Sequence, residues 1–328
     1  MQSDYSTRRK FITLLAGGAA VFTPFFAYAQ ETRTYRLGVL NAQGRQAPNF
    51  RPFFDELRQL GFIEGQNLIV DARGFSARTE QFPALAVDLV DAKIDAIVFG
   101  GPAATRAAQQ ATQTIPILAI LDDIVAAGIV DSLTRPGGNT TGVSFLATEL
   151  DGKRQEILME LVPSARRMAA LVDANATAAQ RVEALRDATR ARGVEVLSFV
   201  VDRPERIVAT LDDAHRSGAK ALNVLASPML NARRADIFER ANILRLPAIY
   251  QWPESAEEGG LIGYGPRLGR IYRQIARQLG KVLRGAKPSD LPVEQPTTFE
   301  LVINTAVAKG IGFEVPPSLV LRADKVIE

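Results

Sequence analysis

At 328 residues, 47% hydrophobic and 23% charged, the chain has the balance of a folded globular protein, which excludes disordered and fibrous classes. With no cysteine and a single histidine, it has no thiol nucleophile, thiolate-bound metal or disulfide, and little basis for a Ser-His or multi-histidine site. The formal charge is +3, and beyond the first 30 residues 36 Lys and Arg face 35 Asp and Glu, too even a balance for a polyanion partner such as nucleic acid.

The first 30 residues read as an address. Arg8, Arg9 and Lys10 precede an apolar run from Phe11 to Phe26, broken by Gly17-Gly18 and Pro24, and Ala27-Tyr28-Ala29 forms a small-residue cleavage site. The adjacent arginines resemble the twin-arginine (Tat) export signal, which is read by a receptor and is not an anchor. Residues 1–29 are therefore expected to be removed, leaving Gln30 first in a periplasmic mature protein. An uncleaved signal anchor is the alternative. No later stretch approaches the roughly 20 apolar residues of a membrane span.

From Tyr35 on, short apolar runs at 35–40, 68–71, 96–99 and 117–120 alternate with amphipathic patterns at 50–60, 81–90 and 103–113. Nearly all-apolar strands of this kind are buried on both faces, so the rhythm predicts a right-handed, doubly wound parallel sheet. It restarts after residue 145. Strands at 168–172, 195–200, 221–225 and 247–250 alternate with helices at 150–161, 178–192, 204–217 and 230–244. Leu268, Ile271, Ile275, Leu279 and Val282 then recur at helical spacing. Arg267, Arg270, Arg273, Arg277 and Lys281 fill the other faces, as an anion-binding surface or simply a solvated one. A Pro-rich segment at 287–296 leads to a last strand at 299–303.

Open parallel sheets bind ligands beyond the carboxyl ends of their strands, so the candidate residues lie in those loops. They are the polar stretch from Asn41 to Gln46, and Gly100-Gly101-Pro102-Ala103, where free N–H groups at a helix start hold an anion or where the chain merely turns tightly. Asp122-Asp123 offers a cation ligand or a helix cap. The second half supplies Asn175, Ser227, Tyr250 and Trp252; the sole tryptophan forms an aromatic wall or packs half-buried. Tyr264, between the halves, is placed to reach a cleft. His215 reads as a cation at a helix end rather than a catalyst. No G-x-S-x-G, H-E-x-x-H or nucleophile–base pair is present.

Several segments are familiar as a set: LGFIEGQN at 60–67, RPGGNTTGVSF at 135–145, LPAIY at 246–250, GGLIGYGP at 259–266, GAKPSDLPVEQP at 285–296 and FELVIN at 299–304. The chain from Tyr35 to Glu328 resembles the ABC transporter substrate-binding protein family of the tryptophan/tyrosine type. That resemblance implies a type I periplasmic-binding fold: two doubly wound parallel-sheet α/β lobes on a three-stranded hinge, closing on a small ligand. It further implies crossings near 141–145, 261–264 and 296–303, so that lobe 1 comprises 35–142 plus about 262–295 and lobe 2 comprises 143–261 plus about 296–328. Asp122 matches the family's acidic position, while Gly101 stands where the family usually has threonine. The expected ligand contacts are Asn41, Gln46, Gly101, Pro102, Ala103 and Asp122 from one lobe, with Asn175, Ser227 and Tyr250 from the other and Tyr264 between the halves.

The function implied is the solute-binding component of an importer, carrying an amino-acid-like or aromatic ligand to an inner-membrane ABC permease. It would be a monomer with no catalytic residue, cofactor or metal. A periplasmic sensor for a membrane receptor is the alternative, with a secreted flavin- or nicotinamide-dependent enzyme behind it.

Overall fold

Two sheets form from the two runs of alternating strand and helix patterns. The structure is a computed structural model and describes residues 33–98, 100–145 and 147–328. The expected export signal and its cleavage after Ala29 lie outside the described residues, as does Phe99. No helix among the described residues is long and apolar enough to cross a membrane.

In the first lobe the elements are β1 (Tyr35–Val39), α1 (Phe50–Gln59), β2 (Leu68–Asp71), α2 (Phe82–Asp91), β3 (Ala96–Val98), α3 (Pro102–Ala111), β4 (Ile117–Leu121) and β5 (Thr140–Ser144). They form an all-parallel sheet in the order β2-β1-β3-β4-β5. Side chains alternate between its two cores. Leu37, Val39, Ala96, Val98 and Leu118 face α1, whereas Ile97 and Ile117 face α2 and α3. Burial on both faces is why these strands carry few polar residues. The order reverses between β1 and β3, and the loops after these two strands flank the crevice so created.

The second lobe contains α4 (Ala147–Leu161), β6 (Arg167–Asp173), α5 (Ala179–Arg190), β7 (Glu195–Val201), α6 (Ile207–Arg216), β8 (Leu222–Val224), α7 (Pro228–Ala232), α8 (Arg234–Ile243), β9 (Ala248–Tyr250), α9 (Pro253–Glu257) and β10 (Ile262–Gly265). The helix expected over 230–244 is thus two. Ser227 caps the Leu230 N–H and starts a turn early, and Arg233, at ψ 20°, breaks the path.

The chain returns to the first lobe as α10 (Leu268–Leu283), then re-enters the second as β11 (Glu300–Asn304), α11 (Thr305–Gly310), α12 (Pro317–Arg322) and β12 (Lys325–Ile327). The second sheet runs β12-β11-β10-β9-β8-β6-β7, parallel except where β11 meets β10. That antiparallel pair was not foreseen from the sequence; it follows from the excursion through α10, which brings the chain back in the opposite sense.

The strands also move two lobe boundaries. All of β5 pairs with β4, from Thr140 with Ile117 to Ser144 with Leu121, and β10 pairs with β9 and β11. The expected division at 142/143 therefore falls inside β5, and the one at 261/262 separates β10 from the sheet it belongs to, because a ladder holds its residues in one sheet. The first crossing follows Ser144 and the second lies between Gly265 and Leu268. Before the third, Glu294 is still bonded to the first sheet, accepting from the Ser144 N–H at 2.9 Å.

Helix α10 buries Leu268, Ile271, Tyr272, Ile275 and Leu279 against α1 and the first sheet. Arg267, Arg270 and Arg277 on and beside it sit in surface ion pairs. Arg267 reaches Glu257 at 2.9 Å and Glu300 at 2.7 Å, and Arg277 reaches Glu56 at 3.3 Å. Exposed pairs of this kind contribute about 0–1 kcal/mol each.

Gly100 opens the turn into α3 at φ +95°, and a Cβ there would lie 2.3 Å from the Ala104 Cβ and 2.8 Å from the Leu40 carbonyl oxygen. Gly100→Ala is expected to cost about 1–3 kcal/mol of stability, from the left-handed backbone and the clash together. Urea unfolding checks this; an unchanged midpoint would mean that the turn relaxes freely.

Candidate ligand cleft

A cavity with about 580 Å³ of empty space, counted to its open mouth, lies where the strand ends of the two lobes meet. The first lobe contributes Asn41, Gln43, Gly101, Pro102, Asp122 and Phe145. Ala226, Ser227, Pro228, Asn231, Gln251 and Trp252 come from the second, and Leu268 and Tyr272 from α10. Its size and mostly apolar wall with a few polar groups are those of a small-molecule site.

The loop after β1 is a rigid polar turn. Asn41 accepts the Gln43 N–H on its side-chain oxygen at 2.8 Å, and Asn49 donates to the Gln43 Oε1 at 2.8 Å. The Tyr272 hydroxyl is hydrogen-bonded with Asn49 and Asn41, and burial raises its pKa above the usual phenol range. Across the cavity, Trp252 packs edge-on against Phe145 with ring centroids 5.2 Å apart. Ser227 donates its hydroxyl to Asp173 and accepts the Leu230 N–H at 3.1 Å. Burial raises the Asp173 carboxyl pKa, against the bonds it accepts from Ser227 and Asn175.

Gly101 has ordinary backbone angles, so its lack of a side chain matters for space. A Cβ there would come within 2.9 Å of the Pro228 ring, which closes over the turn from the other lobe. A threonine, the residue suggested by the family resemblance, would not fit beneath Pro228 without a shift.

At the cleft mouth the lobes are joined by a chain of buried charges. Asp122, following β4, accepts from Arg181 on α5; Arg181 also donates to Asp151 on α4, and Asp151 accepts from Arg154 at 2.6 Å. Arg154 reaches the Tyr264 carbonyl oxygen at 2.9 Å through its Nε. Asp151, Arg154 and Arg181 are all under 7% exposed. Asp122 keeps 22% of its side chain open, yet desolvation outweighs Arg181 and pushes its carboxyl up to about 6.

The structure brings Asn41, Gly101, Pro102, Asp122 and Ser227 to this cavity; the other sequence-derived candidates lie elsewhere. Gln46 is exposed on the loop beyond the turn. Ala103 and Asn175 do not line it; Asn175 borders the open hollow beside the Asp122–Arg181 pair and donates to the Asp202 carbonyl oxygen at 3.1 Å. Tyr250 points into the core, 4.8 Å from the Phe238 ring, and Tyr264 packs in the cluster beneath α4. The expectation for Asp122 also changes, because its carboxylate is bonded to Arg181 and is not free for an ammonium group.

Phe145, Asn231, Leu268 and Tyr272 are wall residues not singled out as contacts from the sequence, and Gln43 and Gln251 lay in the strand-end stretches without being picked as contacts. Tyr272 had a signal, four residues after Leu268 on the buried stripe of α10. Gln251 follows Tyr250, and alternation along an extended chain sends one to the core and its neighbour to the cleft.

The model of the ABC transporter substrate binding protein family matches residues 48–327. This chain belongs to that family. Within it, the substrate-binding protein is 25% identical over 268 residues to the tyrosine-binding protein of Clostridioides difficile (strain R20291), covering 80% of this chain and 76% of that one. In fold it is similar to an ABC domain from Streptococcus pneumoniae crystallised with L-Trp, at a TM-score of 0.79 and 24% identity, over 90% of this chain and all of that one. Against the ligand-free, open structure of a substrate binding protein from Clostridium difficile the TM-score is 0.59, at 22% identity over 90% and 99% of the two chains.

Proposed function

We propose that this protein is the periplasmic solute-binding component of an ABC importer, that it closes two lobes on a small aromatic or amino-acid-like ligand, and that it delivers the ligand to an inner-membrane permease as a monomer. The observation that carries this reading is the cavity at the strand ends, walled by buried polar and aromatic side chains of both lobes. A cavity shared in this way is completed only when the lobes approach, which couples occupancy to a change of shape that a permease can read. The family membership, the tyrosine-binding relative and the L-Trp-bound neighbour support it. So does the overlap, better with the ligand-bound neighbour than with the open one, which fits lobes drawn together. The expected export signal at 1–29 agrees with a periplasmic site of action.

A thermal-shift screen against aromatic compounds and amino acids is the test. A true ligand at a hundredfold excess over Kd is expected to stabilise the folded protein by about 2.7 kcal/mol. Small-angle scattering should show a smaller radius of gyration with the same compound. A flat response across the panel would sink the aromatic and amino-acid reading. Loss of uptake of the ligand from cells lacking the protein separates import from sensing.

A further inference from the structure

The cavity is electrically closed but not hydrogen-bonded to completion. Among its described lining residues, Asp122 alone carries a charged side chain, and Arg181 already neutralises it. Arg181 itself borders the neighbouring open hollow rather than this cavity. An incoming carboxylate would find no unspent cation, and an ammonium would have to displace Arg181. The start of α3, the other place for an anion, is covered where Pro228 lies on Gly101, and Pro102 has no N–H to offer. Moving an ion out of water into such a wall, without a counter-charge, is strongly unfavourable.

Three buried polar atoms on residues of the same wall have no hydrogen-bond partner: the Gln43 Nε2, the Gln251 Oε1 and the Trp252 Nε1. These side chains are 5%, 7% and 5% exposed, so water does not compensate them fully. The Gln43 orientation is set by Asn49, which occupies its Oε1 and leaves the amide N–H groups to donate. The indole N–H can only donate, and the Gln251 oxygen only accepts. Around them stand apolar surfaces, the flat rings of Phe145 and Trp252 with Pro102, Pro228 and Leu268.

From this we infer that the cleft selects an uncharged, planar ligand with an amide-type edge, whose carbonyl oxygen accepts from Trp252 or Gln43 and whose N–H donates to Gln251. The inference rests on the solute-binding reading and narrows it, because it disfavours free amino acids and other ions that share the same ring.

Four compounds with one ring and different charges test it: indole-3-acetamide (neutral), indole-3-acetate (anion), tryptamine (cation) and L-tryptophan (zwitterion), each titrated calorimetrically into the purified protein. The amide is expected to bind at least tenfold more tightly than the other three. Trp252→Phe, which keeps an aromatic ring against Phe145 and removes the N–H, should weaken amide binding roughly three- to tenfold in a variant that still unfolds cooperatively. Tightest binding by any charged member overturns the inference and leaves the solute-binding reading intact. Binding by none of the four overturns both the inference and the aromatic-ligand reading. An unchanged affinity in Trp252→Phe overturns Trp252 as the donor, and an unchanged affinity in Gln43→Leu as well overturns the amide-edge assignment.

Discussion

Asp151→Ala is expected to lower the unfolding free energy by about 3–5 kcal/mol, as removal of one member of a buried ion pair does. Asp151 accepts from Arg154 on one oxygen and from Arg181 on the other, and all three side chains are at most 6% exposed. Without the carboxylate, two guanidinium groups remain out of water with Asp122 as their only nearby acid. The Arg154 bond to the Tyr264 carbonyl oxygen would be left to hold an unneutralised cation. Because α4 and α5 both belong to the second lobe, the loss should appear in global unfolding by urea, with or without ligand. A change under 1 kcal/mol would mean that water or a shifted side chain takes over the carboxylate's role. A double variant with Arg154→Met should then recover part of the stability, since well-packed apolar substitutes for buried ion pairs are often tolerated.

The second large effect concerns the bond between the lobes. Arg181→Met removes the cation shared by Asp122 in one lobe and Asp151 in the other, while Asp151 keeps Arg154. In this structure Asp122 is pushed up to about 6 even with Arg181 beside it, burial being the main cause. If the lobes part as proposed, the carboxyl returns towards its ordinary value near 3.9 when they open. Closure then takes up a proton: it is favoured as the pH falls through about 6, and bears the full cost of an ionised carboxylate above that. Removing Arg181, which pulls the value down, steepens this dependence. Ligand affinity at pH 7.5 is expected to fall about tenfold in Arg181→Met, equivalent to 1.4 kcal/mol, and to recover towards pH 5. In the unaltered protein the same titration should show a shallower rise. An affinity loss that is identical at pH 5 and 7.5 would show that Arg181 acts by packing alone.

What could be read in advance depended on whether the signal was local. The α10 stripe was visible because 3.6-residue periodicity sits in consecutive residues, and Leu268, Ile271, Ile275 and Leu279 are all buried as expected. The first-lobe strands were visible for a similar reason, since burial on both faces leaves apolar runs such as Ile117–Leu121. The short edge strand β12 was not, because three residues at an edge carry no distinctive pattern. For the cleft, knowing which loops follow strands identified Asn41, Gly101 and Ser227 at the cavity. It could not say that Tyr250 turns inward while Gln251 lines the cavity, which depends on which side of the sheet each residue takes.

By itself, then, the sequence determined the class of this protein: an even charge, no thiols, one histidine, and two βα rhythms whose apolar strands need helices on both sides. Only the tertiary structure decided that β10 stays with the second sheet while α10 leaves it, that Pro228 settles over Gly101, and that Asp122 is spent on a guanidinium 59 residues away. The division has a physical reason. Hydrophobic periodicity is a property of neighbours along the chain, whereas the charge balance and the unpaired donors of the cleft arise from residues of different lobes meeting in space.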